Sequence, residues 1–403
     1  MTEQGAWGFH RELLLELERY LNAQYFVRSP ILRHIVPRLL KEPGIIHQTP
    51  WIETTPAYKV SQEGITTARI PEEERQFLSA MASAGCGVYM KPYLHQIAAL
   101  EAVRGRGEDI LVATGTGSGK TECFMWPMIS RLVGEASRSP KSWEERAVRT
   151  LILYPMNALV SDQLARLRKM LDDRKGIFRR ILSECAPGSR RPQFGMYTGR
   201  TPYPGPEPTQ KGNDALAATL RSIVANEAVA EYRDRLVELG RIPAKKDIAS
   251  FIKKLEAGLY PETDPEDAEL LTRFEMQQTP PDILITNYSM LEYMMIRKRE
   301  AGIWEHTQRW LENHPDEKLL IVMDEAHMYR GSAGGEVALL VRRLFDTLGI
   351  DRSRVQFIIT TASMPVDQLG TVELFARLLT AADDPNHPFH LIFGERSELS
   401  REN

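Results

Sequence analysis

Leu111-Val-Ala-Thr-Gly-Thr-Gly-Ser-Gly-Lys120-Thr121-Glu122 runs from an apolar stretch into a glycine-rich turn that closes on Lys-Thr. Such a segment leaves a buried strand and opens a helix, which commits the chain to an α/β architecture. Gly115, Gly117 and Gly119 allow the backbone to curl with its N–H groups inward, and the following helix turns its positive end toward the same space. That is a cradle for nucleotide phosphates. Thr116, Gly117, Ser118 and Gly119 are expected to line it, Lys120 to reach the β- and γ-phosphates, and the Thr121 hydroxyl to hold Mg2+. The strict pattern has glycine where this chain has Thr114, so the match is one residue short.

With 403 residues the chain has room for two ordinary domains or one large α/β domain with additions. Apolar residues at 42%, charged residues at 26% and a mean hydropathy of −0.33 describe a water-soluble protein, and no stretch approaches the apolar length that spans a bilayer. Met1 to His10 carry neither a basic start nor an apolar core, so no secretory signal is read and the expected location is cytoplasmic. Cys86, Cys123 and Cys185 lack C-x-x-C spacing, which argues against a zinc site and a disulfide framework and leaves packing as their role. A net charge of −3 exerts no global pull on nucleic acid, so contacts to it must come from local groups. Arg166, Arg168, Lys169, Arg174, Lys175, Arg179, Arg180, Arg190 and Arg191 form one basic run, read as a solvated face in preference to a binding site.

Residues 1–90 read as a helical leader, periodic over Phe9 to Tyr25 and Ile31 to Leu40 and then broken by Pro43 and Pro50. From Asp109 the pattern changes to short β-rich runs separated by longer helical ones. The runs are Ile110 to Ala113, Leu151 to Tyr154, Ile283 to Ile285, Leu319 to Met323 and Val355 to Ile359. They predict buried parallel strands in a doubly wound sheet. Between Thr201 and Pro281 a proline cluster, charged helical sequence and an acidic turn interrupt the alternation, as a helical insertion would.

Asp324-Glu325-Ala326-His327 emerges at the end of the run Leu319 to Met323, where open parallel sheets build their sites. Hydrolysis needs one carboxylate on the metal and a polar group that orients and deprotonates water, and Asp324 and Glu325 fit these tasks in that order. Gln96, in Tyr93-Leu-His-Gln96 at the start of a predicted helix, offers a donor and an acceptor that match the edge of adenine. Asn157 and Asn287 each follow a strand, where helix capping would account for them as well as phosphate contact would.

Taken in order, seven segments resemble the motifs of the first motor domain of superfamily 2 DEAD/DEAH-type helicases, the Lhr-like branch in particular. They are Tyr93 to Gln96, Thr114 to Thr121, Tyr154-Pro-Met-Asn-Ala-Leu-Val-Ser-Asp-Gln163, Tyr197-Thr-Gly-Arg200, Thr286-Asn-Tyr-Ser-Met-Leu291, Asp324 to His327 and Thr361-Ala-Ser363. Helicases of anti-phage defence systems of the DISARM and Druantia type are also similar. The resemblance implies a RecA-like domain over residues 91–383 that uses ATP and Mg2+, with the insertion at about 201–281. Residues 384–403 would be a linker toward a second motor domain.

The resemblance further implies that Gln96 reads adenine, that Lys120, Asp324 and Glu325 are catalytic, and that His327 couples the nucleotide to Thr361 and Ser363. Asn157, Thr198, Gly199, Thr286 and Asn287 would contact a nucleic-acid strand, DNA in preference to RNA, through its phosphates. Family members complete the site with arginines from the second domain, expected here downstream or on a partner chain, and such an arginine is worth roughly 10³–10⁵ in rate. An isolated first domain should therefore hydrolyse ATP weakly. The expected function is ATP-driven translocation or unwinding in anti-phage defence or DNA repair, with defence-complex partners. The alternative is a nucleotide-gated scaffold that recruits an effector without unwinding.

Overall fold

In a computed structural model of the chain, the described residues are all except 1–4, 26–27, 41, 43, 46, 49–55, 116, 172–175, 204–206, 225–231, 260–262, 330, 363–368, 383, 385–386 and 398–403. Among them, eight strands form one parallel sheet in the order β4-β3-β5-β2-β6-β7-β1-β8. These are β1 (Asp109–Ala113), β2 (Thr150–Tyr154), β3 (Phe194–Met196), β4 (Glu269–Leu270), β5 (Ile283–Asn287), β6 (Leu319–Met323), β7 (Val355–Thr361) and β8 (Phe389–Phe393). Side chains alternate between two cores. Ile110, Val112, Ile152, Ile283, Val322 and Ile358 lie in one, and Leu111, Leu151, Leu284, Ile321, Phe357 and Ile359 in the other. Both faces are covered, which is why the central strands carry continuous apolar runs such as Leu319–Met323, with polar residues falling mainly at strand ends. The doubly wound, RecA-like sheet expected from the sequence is the one observed.

Two compact units divide the chain, one up to Ala57 and one from Tyr58 to Ser397. The first holds α1 (Ala6–Tyr25) and α2 (Pro30–Leu39), matching the two periodic stretches of the leader; Ser29 caps α2 through Leu32 N–H at 3.4 Å. The expected leader, residues 1–90, runs past this division. Val60 bridges Tyr93, and α3 (Glu72–Ser83) buries Phe77, Leu78 and Met81 in the same core as α5 (Glu122–Arg138). The proline-broken sequence ahead of these residues hid them.

The expected linker, 384–403, contains a strand. Phe389–Phe393 pairs with β1 along its whole length. As an edge strand it leaves His390 exposed, and an apolar run interrupted in this way does not stand out in the sequence. The insertion is helical as expected over Gln210–Val224, Arg233–Glu238 and Ile248–Glu256, with a small core of Tyr203, Leu220, Phe251, Ile252 and Leu255. It also returns β4 to the sheet. Glu269 of that two-residue strand is buried and held by Arg168 at 2.6 Å.

Candidate nucleotide site

The carboxyl ends of β1, β7 and β6 are neighbours, and each delivers one part of the site. After β1 the phosphate loop turns through left-handed backbone at Gly117 (φ 72°) and Gly119 (φ 74°). At Gly119 the positive φ favours glycine, and a Cβ there would sit 2.3 Å from Gln96 Nε2 and displace that amide from the loop. The Thr114 hydroxyl bonds Ser118 Oγ at 2.7 Å across the turn, a use for the residue that departs from the strict pattern. Ser118 is buried, and its carbonyl accepts from His95 Nε2 at 2.8 Å. Burial lowers the His95 pKa against that bond, and the carbonyl acceptor assigns the proton to Nε2.

Gln96 also supports the loop. It sits in α4 (Leu94–Leu100), donates from Nε2 to Gly119 O at 3.1 Å and accepts from Tyr93 N–H at 2.9 Å. Each amide end keeps capacity for one further bond. Helix α5 opens directly behind the loop, and the Thr121 hydroxyl at its start accepts from Gln163 Nε2 at 3.3 Å. Thr116 lies outside the described residues.

After β6, Asp324 is buried, and its Oδ1 accepts from Glu325 N–H at 2.9 Å and from the Thr360 hydroxyl on β7. Burial pushes the Asp324 carboxyl up, against the hydroxyl bond that lowers it. Glu325 adopts φ 52°, a left-handed conformation that a residue with a Cβ rarely holds and that costs of order 1–3 kcal/mol. This turn points Oε1 at Lys120 Nζ, 3.4 Å away, and brings Oε2 to 3.2 Å from His327 Nδ1. His327 Nδ1 is in turn 3.4 Å from the Thr361 hydroxyl at the end of β7. The chain Lys120, Glu325, His327, Thr361 therefore spans three adjacent strands. Ser363 lies outside the described residues. The Thr121 hydroxyl and the Asp324 carboxylate are hard oxygen donors of the kind Mg2+ takes, so the residues present fit that ion.

The other expected residues gather at the carboxyl ends of β2, β5 and β3, the adjoining half of the same edge. Asn157 starts the helix Asn157–Leu171, its side chain outside the described set. Asn287 caps the helix Tyr288–Ile296 by accepting from Met290 N–H at 2.8 Å. Thr286 is buried and donates to Tyr197 O at 2.6 Å; Thr198 is buried and accepts from Arg200 N–H at 3.2 Å. These two hydroxyls shape the turns from within, whereas Gly199 is exposed with open space beside it. Among the described residues of the basic run, four arginines are spent on ion pairs, while Arg174 and Lys175 lie outside the described residues. Arg166 pairs with Glu122, Arg168 with Glu269, Arg179 with Glu266 and Arg190 with Asp282.

Sequence reasoning missed the parts played by Thr114, His95, Gln163 and Thr360, all of which hold the site by side-chain hydrogen bonds. Thr360 stands next to a motif residue; for His95 and Gln163 the signal was their place inside motif segments already singled out. A cavity of about 450 Å³ adjoins the loop, lined by Val60, Tyr89, Lys91, Tyr93, Gln96, Gly117, Gly119, Glu122 and Arg166.

Comparison with known proteins places this geometry. Residues 93–196 match the DEAD/DEAH box helicase family. The chain is 40% identical over 417 aligned residues to Druantia protein DruE of Escherichia coli (strain UMEA 4076-1), an alignment covering 96% of this chain and 22% of that protein. It thus spans about a fifth of that relative's length. Among solved structures it is similar to the helicase Lhr of Mycobacterium smegmatis bound to single-stranded DNA and AMP-PNP (TM-score 0.47, 18% identity, 83% of this chain and 29% of that one). It is also similar to the DUF1998 helicase MrfA bound to DNA (TM-score 0.44, 18% identity, 90% of this chain and 34% of that one). With the phosphate loop after β1 and Asp324-Glu325-Ala326-His327 after β6 of one parallel sheet, this chain contains a DEAD/DEAH helicase domain, matched over residues 93–196.

Proposed function

We propose that the chain is the ATP-binding motor of a helicase or translocase that moves along DNA, with Mg2+ as its metal. The observation that carries this reading is the contact of Lys120 with Glu325 at 3.4 Å, which joins the phosphate loop and the acidic strand end into one site. Phosphate oxygens entering the loop compete for Lys120 Nζ, and losing that cation frees Glu325 Oε1 to orient and deprotonate a water. Mg2+, held by Thr121 and Asp324, would supply charge neutralisation at the phosphates. His327 passes the change at Glu325 to Thr361 on β7.

Strand contact belongs to the adjoining edge at Asn157, Gly199 and Asn287, with the buried Thr198 and Thr286 expected in that role instead shaping the turns that present it, and Gln96 belongs to the base. DNA as the track follows the family resemblance, and similarity to Druantia protein DruE supports anti-phage defence over DNA repair as the setting. The complete motor would add an arginine-bearing second domain, from the same polypeptide or from a partner chain, and would work in the cytoplasm with other defence proteins.

ATP hydrolysis measured with and without single-stranded DNA, using Glu325→Gln as the blank, tests the proposal. DNA-stimulated turnover above that blank is the expected result. ATP binding with no stimulation, even when the complete polypeptide and its partners are assembled, would favour a nucleotide-gated scaffold instead.

A further inference from the structure

We propose that Glu122 is a nucleotide-specificity residue whose Oε2 accepts a hydrogen bond from the nucleoside half of the bound nucleotide. The inference rests on the ATP-site reading above. Glu122 is the first residue of α5 and is 9% exposed. Its Oε1 is taken by Arg166 Nη1 at 2.7 Å, whereas its Oε2 is buried and has no hydrogen-bond partner among the described residues. A buried carboxylate oxygen without a donor is costly to keep, and such atoms recur where a ligand completes the bonding.

The place of that oxygen says which ligand group. Glu122 lines the 450 Å³ cavity together with Tyr93, Gln96 and Gly119, a space suited to a nucleoside. At Gly119 a Cβ would lie 3.0 Å from Glu122 Oε2 and 2.3 Å from Gln96 Nε2, so the carboxylate and the amide converge on the same point of the loop. An ionised carboxylate only accepts, and it repels phosphate. The group it receives is therefore a donor away from the phosphates, which on a purine nucleoside triphosphate is a ribose hydroxyl or the exocyclic amine. A merely structural Glu122 would answer Arg166 and the positive end of α5 and would leave nucleotide choice untouched.

Equilibrium titration of the full chain and of Glu122→Gln with ATP, 2′-deoxyATP, 3′-deoxyATP and inosine triphosphate tests this, with Lys120→Ala as the control for the phosphate loop and thermal unfolding as the check on the fold. Glu122→Gln is expected to bind ATP about tenfold more weakly at an unchanged unfolding midpoint. Wild type should lose a similar factor for a deoxy analogue if the donor is a hydroxyl, or for inosine triphosphate if it is the amine, and the variant should no longer make that distinction. Unchanged ATP binding by Glu122→Gln, or an equal loss for all four nucleotides, overturns the assignment while leaving the ATP site in place. If wild type binds none of the four, the ATP-site reading fails and the Glu122 proposal with it.

Discussion

The two ends of the central sheet both bury charge, and they do so in opposite ways. At the amino end, Arg149 lies between Glu135 (2.9 Å to each oxygen) and Asp282 (3.1 Å), donates to Ser142 O at 2.6 Å, and rests over the rings of Trp143 and Trp310. Asp282 is further bonded by Arg190 at 2.7 Å and by Gln193 N–H at 2.9 Å. At the carboxyl end, the contacts Lys120 to Glu325, Glu325 to His327 and His327 to Thr361 measure 3.4, 3.2 and 3.4 Å, and Glu325 Oε2 is not aligned for a hydrogen bond with the imidazole it faces. Charges that hold a fold saturate one another. Charges that perform chemistry are kept in range of several partners and committed to none, at the cost of backbone strain at Glu325.

Substitutions at the two ends should therefore separate activity from stability. The largest effect is expected from Glu325→Gln, which should lower DNA-stimulated turnover by roughly 10²–10⁴-fold while ATP affinity stays near wild type. Steady-state hydrolysis beside a binding titration reads both. Retained turnover would move the water-activating role to another group.

Asp282→Asn should do the reverse. Removing one member of the saturated network strands buried guanidinium charge and should cost about 3–5 kcal/mol in urea unfolding, with the folded fraction still binding ATP. The network also predicts a pH dependence. Burial alone would raise the Asp282 pKa, yet Arg190, Arg149 and Arg146 hold it down, from an ordinary 3.8 to about 2. A carboxyl lowered by folding stabilises fully above its unfolded pKa and loses that contribution as pH falls through the folded one. The urea midpoint of wild type should therefore drop between about pH 4 and pH 2, and Asp282→Asn should lack this component. A variant that keeps the same drop would assign it to other carboxylates.

Smaller effects fall at the junctions. Asn287→Ala removes the cap on the helix Tyr288–Ile296 and should destabilise by about 1 kcal/mol, with a matching loss of DNA affinity if the same side chain meets the strand. Unchanged DNA binding, read by fluorescence anisotropy, would confine Asn287 to capping. Thr361→Ala should reduce hydrolysis about fivefold without altering ATP affinity, because it loosens only the far end of the chain that starts at Glu325. A change in affinity would place Thr361 in nucleotide binding itself.

The same contrast governs what could be read in the sequence. The phosphate loop and Asp324-Glu325 were legible because their chemistry demands fixed residue types in consecutive positions. The runs Leu319 to Met323 and Ile283 to Ile285 were legible because strands covered on both faces are apolar throughout. The saturated network was not, since Glu135, Arg149 and Asp282 come from separate elements that only the sheet order brings together. For the same reason Arg166, Arg168 and Arg190 read as a basic face although each has an acidic partner far along the chain. Strand β8 escaped because His390 breaks its pattern, and β4 because two residues form no pattern.

The most direct test of the central claim, that the loop and the acidic strand end form one nucleotide site with divided roles, is calorimetric titration of ATP with Mg2+ into wild type, Lys120→Ala and Glu325→Gln. Wild type and Glu325→Gln should bind alike while Lys120→Ala binds far more weakly. Equal loss of binding in both variants, or undiminished binding in Lys120→Ala, would contradict it.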